Sequence, residues 1–380
     1  MTALVGLTIV ETAERVVGEY AARLLADFGA EVIKVEPPGG SPTRAMGPHV
    51  NGESVPFAYL NTNKKSVMLD LDAEAGRARL GALLARADAW IDDHDEDWRA
   101  GHALAPEAVA KAHPALVHCA ITPFGQGAPE DRRRAYPINV INAGGWGYHT
   151  PSETASDKPP LKGAGRFLPD YEAGLDAAMA VAASLWRKRQ TGAGQFIDMS
   201  EVETQLSRAD VVLGRILAGD DEPSLSRTRY DMGGPATSFD CADGHVYLIM
   251  TTRAHWNGLR TLMGDPDWAR QFPEDWLEFH CTPERVKAFR DQFRPWIVQQ
   301  DKVRVSDEAQ KLNVPIVPVN TAADLCVNAQ YRHRGYFQPL EHPLLGKADY
   351  PTVPYRMSGS PARLTRPAPV LGEHADEVLV

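Results

Sequence analysis

Cysteine is scarce: Cys119, Cys241, Cys281 and Cys326 are the only 4 in 380 residues, and no two share a CxxC spacing. That excludes a small disulfide scaffold and offers no zinc-site pattern. Cations are the minority as well, 40 Lys and Arg against 50 Asp and Glu, for a formal net charge of -10. Such a balance is wrong for a protein that wraps nucleic-acid phosphates, although it leaves room for a local basic pocket. No run approaches the ~18 uninterrupted apolar residues of a membrane span. The stretch from Met1 to Glu11 has neither the basic region nor the small-residue cleavage site of a secretory leader. Internal repeats are missing, and no GxGxxG follows the first apolar run, so the dinucleotide fingerprint is absent. The expectation is a soluble, cytoplasmic protein with no membrane, nucleic-acid or metal partner.

What is present is an ordinary globular composition, 43% hydrophobic and 24% charged, spread over more residues than one compact core usually holds. Strand and helix signals alternate through the first third. Leu7 to Val10, Glu31 to Glu36, Ser66 to Leu71, Ala89 to Asp92 and Leu116 to Ile121 read as strands. Glu19 to Phe28, Ala73 to Ala87 and Pro106 to His113 read as helices. Short strands alternating with helices predict a Rossmann-like parallel sheet covered on both faces. From Phe124 to Leu168 the chain is rich in Gly, Pro, Ser and charge and reads as a long loop of the kind that carries function. Tyr171 to Gln190 then reads as a long helix stopped at Thr191-Gly192, and Ser200 to Leu217 as a second.

This pattern divides the chain into a large α/β domain over 1–218, a smaller α+β domain over 219–326, and an arm over 327–380 that returns to the large domain. The smaller domain opens on a hairpin from Phe239 to Met250, with Asp243-Gly244 at its turn.

Several stretches, in order along nearly the whole chain, carry a resemblance. They are Leu24-Leu-Ala-Asp-Phe-Gly-Ala-Glu-Val-Ile-Lys-Val-Glu36 with Thr43-Arg44, then Asn61-Thr-Asn-Lys-Lys-Ser-Val-Met-Leu-Asp-Leu71, Phe124-Gly-Gln, and Pro159 to Asp170. Thr191-Gly-Ala-Gly-Gln-Phe-Ile-Asp-Met-Ser200, Val314-Pro-Ile-Val-Pro-Val-Asn320, Arg356 to Pro361 and Leu371-Gly-Glu-His374 follow. Together they resemble the class III CoA-transferases, the superfamily that also holds 2-methylacyl-CoA racemases. The resemblance implies an interlocked homodimer, coenzyme A as carrier without a metal or redox cofactor, and exchange of CoA between an acyl-CoA and a carboxylic acid.

By the same resemblance, Asp170 matches the family's nucleophile, which would pass through an aspartyl-CoA thioester. On position alone an aspartate just ahead of a helix reads as an N-cap. Gly233 and Gly234 match a glycine loop over the nucleophile, where backbone amides could meet an oxyanion; turn chemistry alone makes them the opening of the Phe239 hairpin. Lys34, Arg44, Lys64, Lys65 and Arg134 are the matched cations for the CoA phosphates, each equally readable as a solvated charge. Tyr20, Tyr136, Trp146, Tyr148 and His149 are candidates for the acyl pocket, and aromatics in such loops are also commonly just packed.

Three departures stand out. The acidic run Asp92-Asp-His-Asp-Glu-Asp97 falls where CoA would pass. Tyr136 stands where racemases carry a histidine, Val16 and Val17 lie in the region from which a polar residue reaches the active site in the oxalate enzymes, and Glu19 replaces a common proline, which argues against oxalate as substrate. The missing histidine disfavours a racemase of that mechanism; an acyl-CoA isomerase or racemase that reuses the pocket for proton transfer, and an inactive relative in which the acidic run has abolished CoA binding, stand as the alternative readings.

Overall fold

The computed structural model describes residues 2–146, 166–219 and 235–379. Two compact units make up the chain: the first is Met1–Arg227 with Gly335–Val380, the second Thr228–Arg334. None of the described helices is long and apolar enough to cross a membrane.

The first unit is built on six strands: β1 (Thr8–Glu11), β2 (Glu31–Glu36), β3 (Lys64–Met68), β4 (Ala89–Asp92), β5 (Val117–Thr122) and β6 (Gln195–Ser200). They lie in the order β3-β2-β1-β4-β5-β6, every pair parallel, with Val10 opposite both Ile33 and Trp90. This is the doubly wound order, whose switch point lies between β1 and β4. Alternation along the strands explains the two cores. Ile9, Val32, Ala89, Ile91 and Cys119 face one layer, while Val10, Ile33, Val35, Val67 and Trp90 face the other. Each fully buried aliphatic side chain contributes about 1.5–3 kcal/mol to holding the layers on the sheet.

On the first face, helix α1 (Val16–Asp27) packs against the 24-residue helix α2 (Leu168–Thr191). The contact is close because its residues are small. A Cβ on Gly174 would lie 2.7 Å from the Val17 carbonyl oxygen. Helix α2 ends as the sequence predicts, with Gly192 at φ 74 donating its amide to the Lys188 carbonyl.

Three expectations needed correction. Gln195–Ser200 is a sixth strand that the apolar pattern did not reveal, because this edge strand is only half-buried. The single helix expected from Ser200 breaks at Ala209 into α3 (Glu201–Arg208) and α4 (Asp210–Leu217). Within the expected long loop, Pro137–Ala143 forms two helical turns.

The tail is laid on the first unit of its own chain, along β3. The Ser66 carbonyl accepts from the His374 amide (2.9 Å), and the Asn63 side chain accepts from the Thr365 amide (2.8 Å). Phe337–His342 and Gly346–Pro351 pair as an antiparallel hairpin in this tail.

The second unit holds a three-stranded antiparallel sheet in which Gly244–Leu248 lies between Thr237–Cys241 and Ile316–Val319. Its core is aromatic: Trp256, Trp276, Phe289 and Phe293 are sealed from solvent, with the Trp256 and Trp276 rings edge to face at 5.7 Å.

Candidate active site

At the switch point, the loops after β1 and β4 are tied to each other. Thr12 Oγ1 donates to Asp92 Oδ1 (3.1 Å), and the amides of Glu14 and Arg15 each donate to Asp93 at 2.9 Å. A side chain on Gly18 would come within 2.8 Å of Asp93 Oδ2, so the turn of α1 can approach this carboxylate only as glycine. The result fixes Arg15 at the N-cap of α1.

Asp170 is not an N-cap. Phe167 occupies that position and Asp170 lies inside the first turn of α2, where its carboxylate meets its own backbone amide. Glu201 begins α3, which is anchored to α2 by Gln205 Nε2 donating to Glu172 (2.6 Å) and by Arg208 paired with Asp176 (2.6 Å). Three helix N-termini thus converge on one guanidinium. Arg15 Nη2 stands 2.6 Å from Glu201 Oε1 and 4.0 Å from Asp170 Oδ1. Glu201 is completely buried and Asp170 only 3% exposed, and among the described residues nothing donates a hydrogen bond to Asp170 Oδ2.

The electrostatics follow from that burial. Removal from water, with repulsion from Glu201, pushes the Asp170 carboxyl up to about 7 against the pull of Arg15. Burial likewise raises Asp93 to about 7, with Arg15 and the Glu14 amide pulling the other way. Burial opposes the Arg15 charge, yet Glu201, Asp93 and Asp170 together raise its pKa, so the guanidinium stays charged. A carboxyl that ionises near neutrality, with one oxygen unpartnered beside a fixed cation, has the chemistry that a nucleophile or a base requires.

The matched cations divide by position. Lys34 and Lys64 have no exposed surface. Lys34 Nζ reaches Glu19 (2.8 Å), the Ala13 carbonyl (2.9 Å) and Glu11 (3.1 Å), while Lys64 Nζ reaches Glu11 (2.7 Å), the Glu19 carbonyl (2.8 Å) and Asn61 (2.9 Å). Glu19 also accepts from Ser41, Thr43 and Asn61. These two lysines are saturated by an interior network, and neither presents a donor to solvent. Arg44 grips Glu36 with two nitrogens (2.7 and 2.8 Å) and lies over the Phe57 ring. Lys65 pairs with Glu31 and Glu377 near the tail. Arg134 projects outward with its side chain 86% exposed, held among the described residues by Asp95.

The acidic run also has local partners. Arg99 (2.9 Å) and His94 (2.7 Å) hold Asp92 down to about 2 despite its burial. Asp95 caps the helix Glu96–Gly101, and Asp97 pairs with Arg133 (2.5 Å). Asp92 in turn, against the effect of burial, raises His94 to about 10. This run is therefore framework rather than a bare acidic barrier. Beside it, a cleft of ≈ 100 Å³ opens over the strand ends, lined by Thr12, Glu14, Glu36, His94, Trp98 and His102. The His94, Trp98 and His102 rings stack successively at 3.6 and 4.3 Å.

Among the aromatic candidates, Tyr20 packs edge to face on Tyr171 at 4.8 Å, directly beside Asp170. Tyr59 stands 6.5 Å from the same ring with Arg23 over its face. Trp146 Nε1 donates to the Gln205 carbonyl (3.1 Å), near α3. Tyr136 is 77% exposed at the N-cap of Pro137–Ala143 and joins none of these groups. Tyr148, His149, Gly233 and Gly234 lie outside the described residues.

Arg15, Glu201 and Tyr171 are the members of this cluster that sequence reading missed. Arg15 did leave a signal: a cation at a helix N-terminus opposes the macrodipole and implies an anionic partner.

Comparison with known proteins places the arrangement in context. The CoA-transferase family III profile matches residues 4–375. A subunit of the succinyl-CoA:(R)-benzylsuccinate CoA-transferase of Thauera aromatica is 30% identical, with 96% of this chain and 90% of the relative covered. The human succinyl-CoA:glutarate CoA-transferase is 27% identical over 99% of this chain and 85% of its own. The crystal structure of a CAIB/BAIF family protein from Brucella suis superposes with a TM-score of 0.85 at 27% identity, covering 99% of this chain and 98% of that one. With the doubly wound sheet and the profile agreeing from end to end, this chain belongs to CoA-transferase family III.

Proposed function

We propose that the protein moves CoA from an acyl-CoA donor to a carboxylic acid through a covalent intermediate on Asp170, with succinyl-CoA as donor and a dicarboxylic acid as acceptor. The observation that carries this reading is the Asp170 carboxylate itself. A buried acceptor without a donor costs about 1–3 kcal/mol, and Asp170 Oδ2 is left in that state inside the first turn of α2. The substrate class comes from the names of the relatives, which include succinyl-CoA:glutarate and succinyl-CoA:(R)-benzylsuccinate transferases.

The chemistry runs in four balanced displacements. The Asp170 carboxylate attacks the thioester carbonyl, and CoA thiolate leaves behind a mixed anhydride. The thiolate then adds to the aspartyl carbonyl and expels the donor acid as carboxylate, giving aspartyl-CoA. The acceptor carboxylate attacks that thioester, and the released thiolate opens the new anhydride at the acceptor's acyl carbon, freeing Asp170. No step needs a metal or an oxidant. The same resemblance carries a homodimer of threaded chains, for which slow subunit exchange between tagged and untagged dimers is the expected behaviour.

Purified protein, given succinyl-CoA and a panel of glutarate, malate, mesaconate and benzylsuccinate, should form the matching CoA esters. Deuterium uptake at the α-carbon of an acyl-CoA without transfer would replace this reading with an isomerase. The pH profile offers a second check. Since Asp170 must be ionised to attack, and it titrates at about 7, kcat/KM should fall below neutrality. Glu201→Gln removes the like charge and should move that acid limb down by about one pH unit. An unmoved limb would show that another group titrates.

A further inference from the structure

The two edges of the Arg15 guanidinium are unequal. Nη2 is buried and faces Glu201 and Asp170. The side chain as a whole is 28% exposed, whereas those two carboxylates are 0% and 4% exposed at their side chains. Among the described residues, no acceptor is paired with its Nε or Nη1. Arg15 is thus held from beneath and open above, immediately beside the nucleophile.

Charge balance tells what the open edge is for. In the resting protein, Arg15 faces Asp170, Glu201 and, across the α1 turn, Asp93. Once Asp170 carries CoA as a thioester, its negative charge is gone, while Arg15 stays charged. The next species to arrive is an anion, the acceptor carboxylate, and it must come within bonding distance of the Asp170 carbonyl. A guanidinium presents paired N–H groups at carboxylate spacing, and one edge can keep Glu201 while another takes the newcomer.

We propose that Arg15 receives the reacting carboxylate of the acid substrate, standing in for the charge that Asp170 loses, and that Glu201 is the positioning residue that holds the guanidinium in place. The assignment rests on the transferase reading above. By reversibility, Arg15 also holds the donor carboxylate as it leaves. It makes Arg15 a substrate-binding residue for the acid and not for the nucleotide.

The experiment compares Arg15→Gln and Arg15→Lys with the parent, using succinyl-CoA and the best acceptor of the panel. Acid KM is read from transfer rates, CoA affinity from calorimetry, and folding from thermal melts. Arg15→Gln should raise the acid KM by about 10- to 100-fold, the loss expected for a charge-assisted pair, and leave the CoA dissociation constant within about twofold. Arg15→Lys, which keeps the charge but has no second edge, should recover part of the loss. An acid KM unchanged in a folded Arg15→Gln overturns the proposal, as does a loss shared equally by acid and CoA. If the Gln variant does not fold, the Lys variant decides: an acid KM equal to the parent's overturns the assignment. Parent protein that transfers to no acid in the panel overturns the transferase reading, and this inference with it.

Discussion

Asp170→Asn should yield a folded protein that still binds CoA and transfers it at less than about one-thousandth of the parental rate, because an amide cannot form the anhydride. The same change should make the protein more stable. Asp170 titrates at about 7 in the folded chain against 3.8 for an ordinary aspartate, so the fold prefers the protonated form. A raised value means that native stability is lost as pH climbs from about 4 towards 7, with the full deficit present above that. Asparagine carries no charge to bury. At pH 8 the variant should gain ~2 kcal/mol in urea denaturation, and the gain should vanish near pH 4. Hydroxylamine added during turnover of the parent should modify Asp170 alone; an adduct mapped to Glu172 or Glu201 would move the nucleophile. A variant that is inactive and also less stable at pH 8 would instead mark Asp170 as part of the framework.

Lys34→Met should cost about 3–5 kcal/mol of stability, the range for removing one partner of a buried ion network. Lys34 is sealed against Glu11 and Glu19, with Glu36 close enough to add to its field, so its loss leaves two buried carboxylates to share the single cation of Lys64. Urea denaturation with a spectroscopic probe measures the effect. The competing assignment, a CoA phosphate ligand, predicts weaker CoA binding by a protein of unchanged stability. The two outcomes cannot be confused.

That contrast shows how far the sequence could be read. Five of the six parallel strands appear as short segments with apolar residues on both faces, such as Thr-Ile-Val-Glu of β1 and Ala-Trp-Ile-Asp of β4, as a sheet covered on both faces requires. The sixth, Gln195–Ser200, has one neighbour and is half-buried, so its apolar run is interrupted by Asp198. Lys34 was readable in principle: a lysine inside Val-Ile-Lys-Val of such a strand has nowhere to go but the interior, where it must be paired. The Asp170 neighbourhood was legible only in its central residue. Arg15 and Glu201 lie far apart in the chain and meet because α1 and α3 both begin just after strands of one sheet, β1 and β6, which no local pattern records. Asp92 to Asp97 read as an obstacle because several of its partners come from other segments, Thr12, Arg133 and Arg134.

The seam between β3 and the tail sets a timetable for synthesis. Ser66 meets His374 across a sequence separation of 308 residues, with the entire second unit encoded between them. At ~5–20 residues per second, a ribosome exposes the outer edge of β3 for roughly 15–60 s before the strip that covers it emerges. An uncovered strand edge is a template for pairing with another chain. Crowded polysomes making this protein therefore hold many nascent chains with the same bare edge at once. Chains released early, anywhere before the tail, should be the ones that associate and aggregate, however well the rest of their sheet has formed.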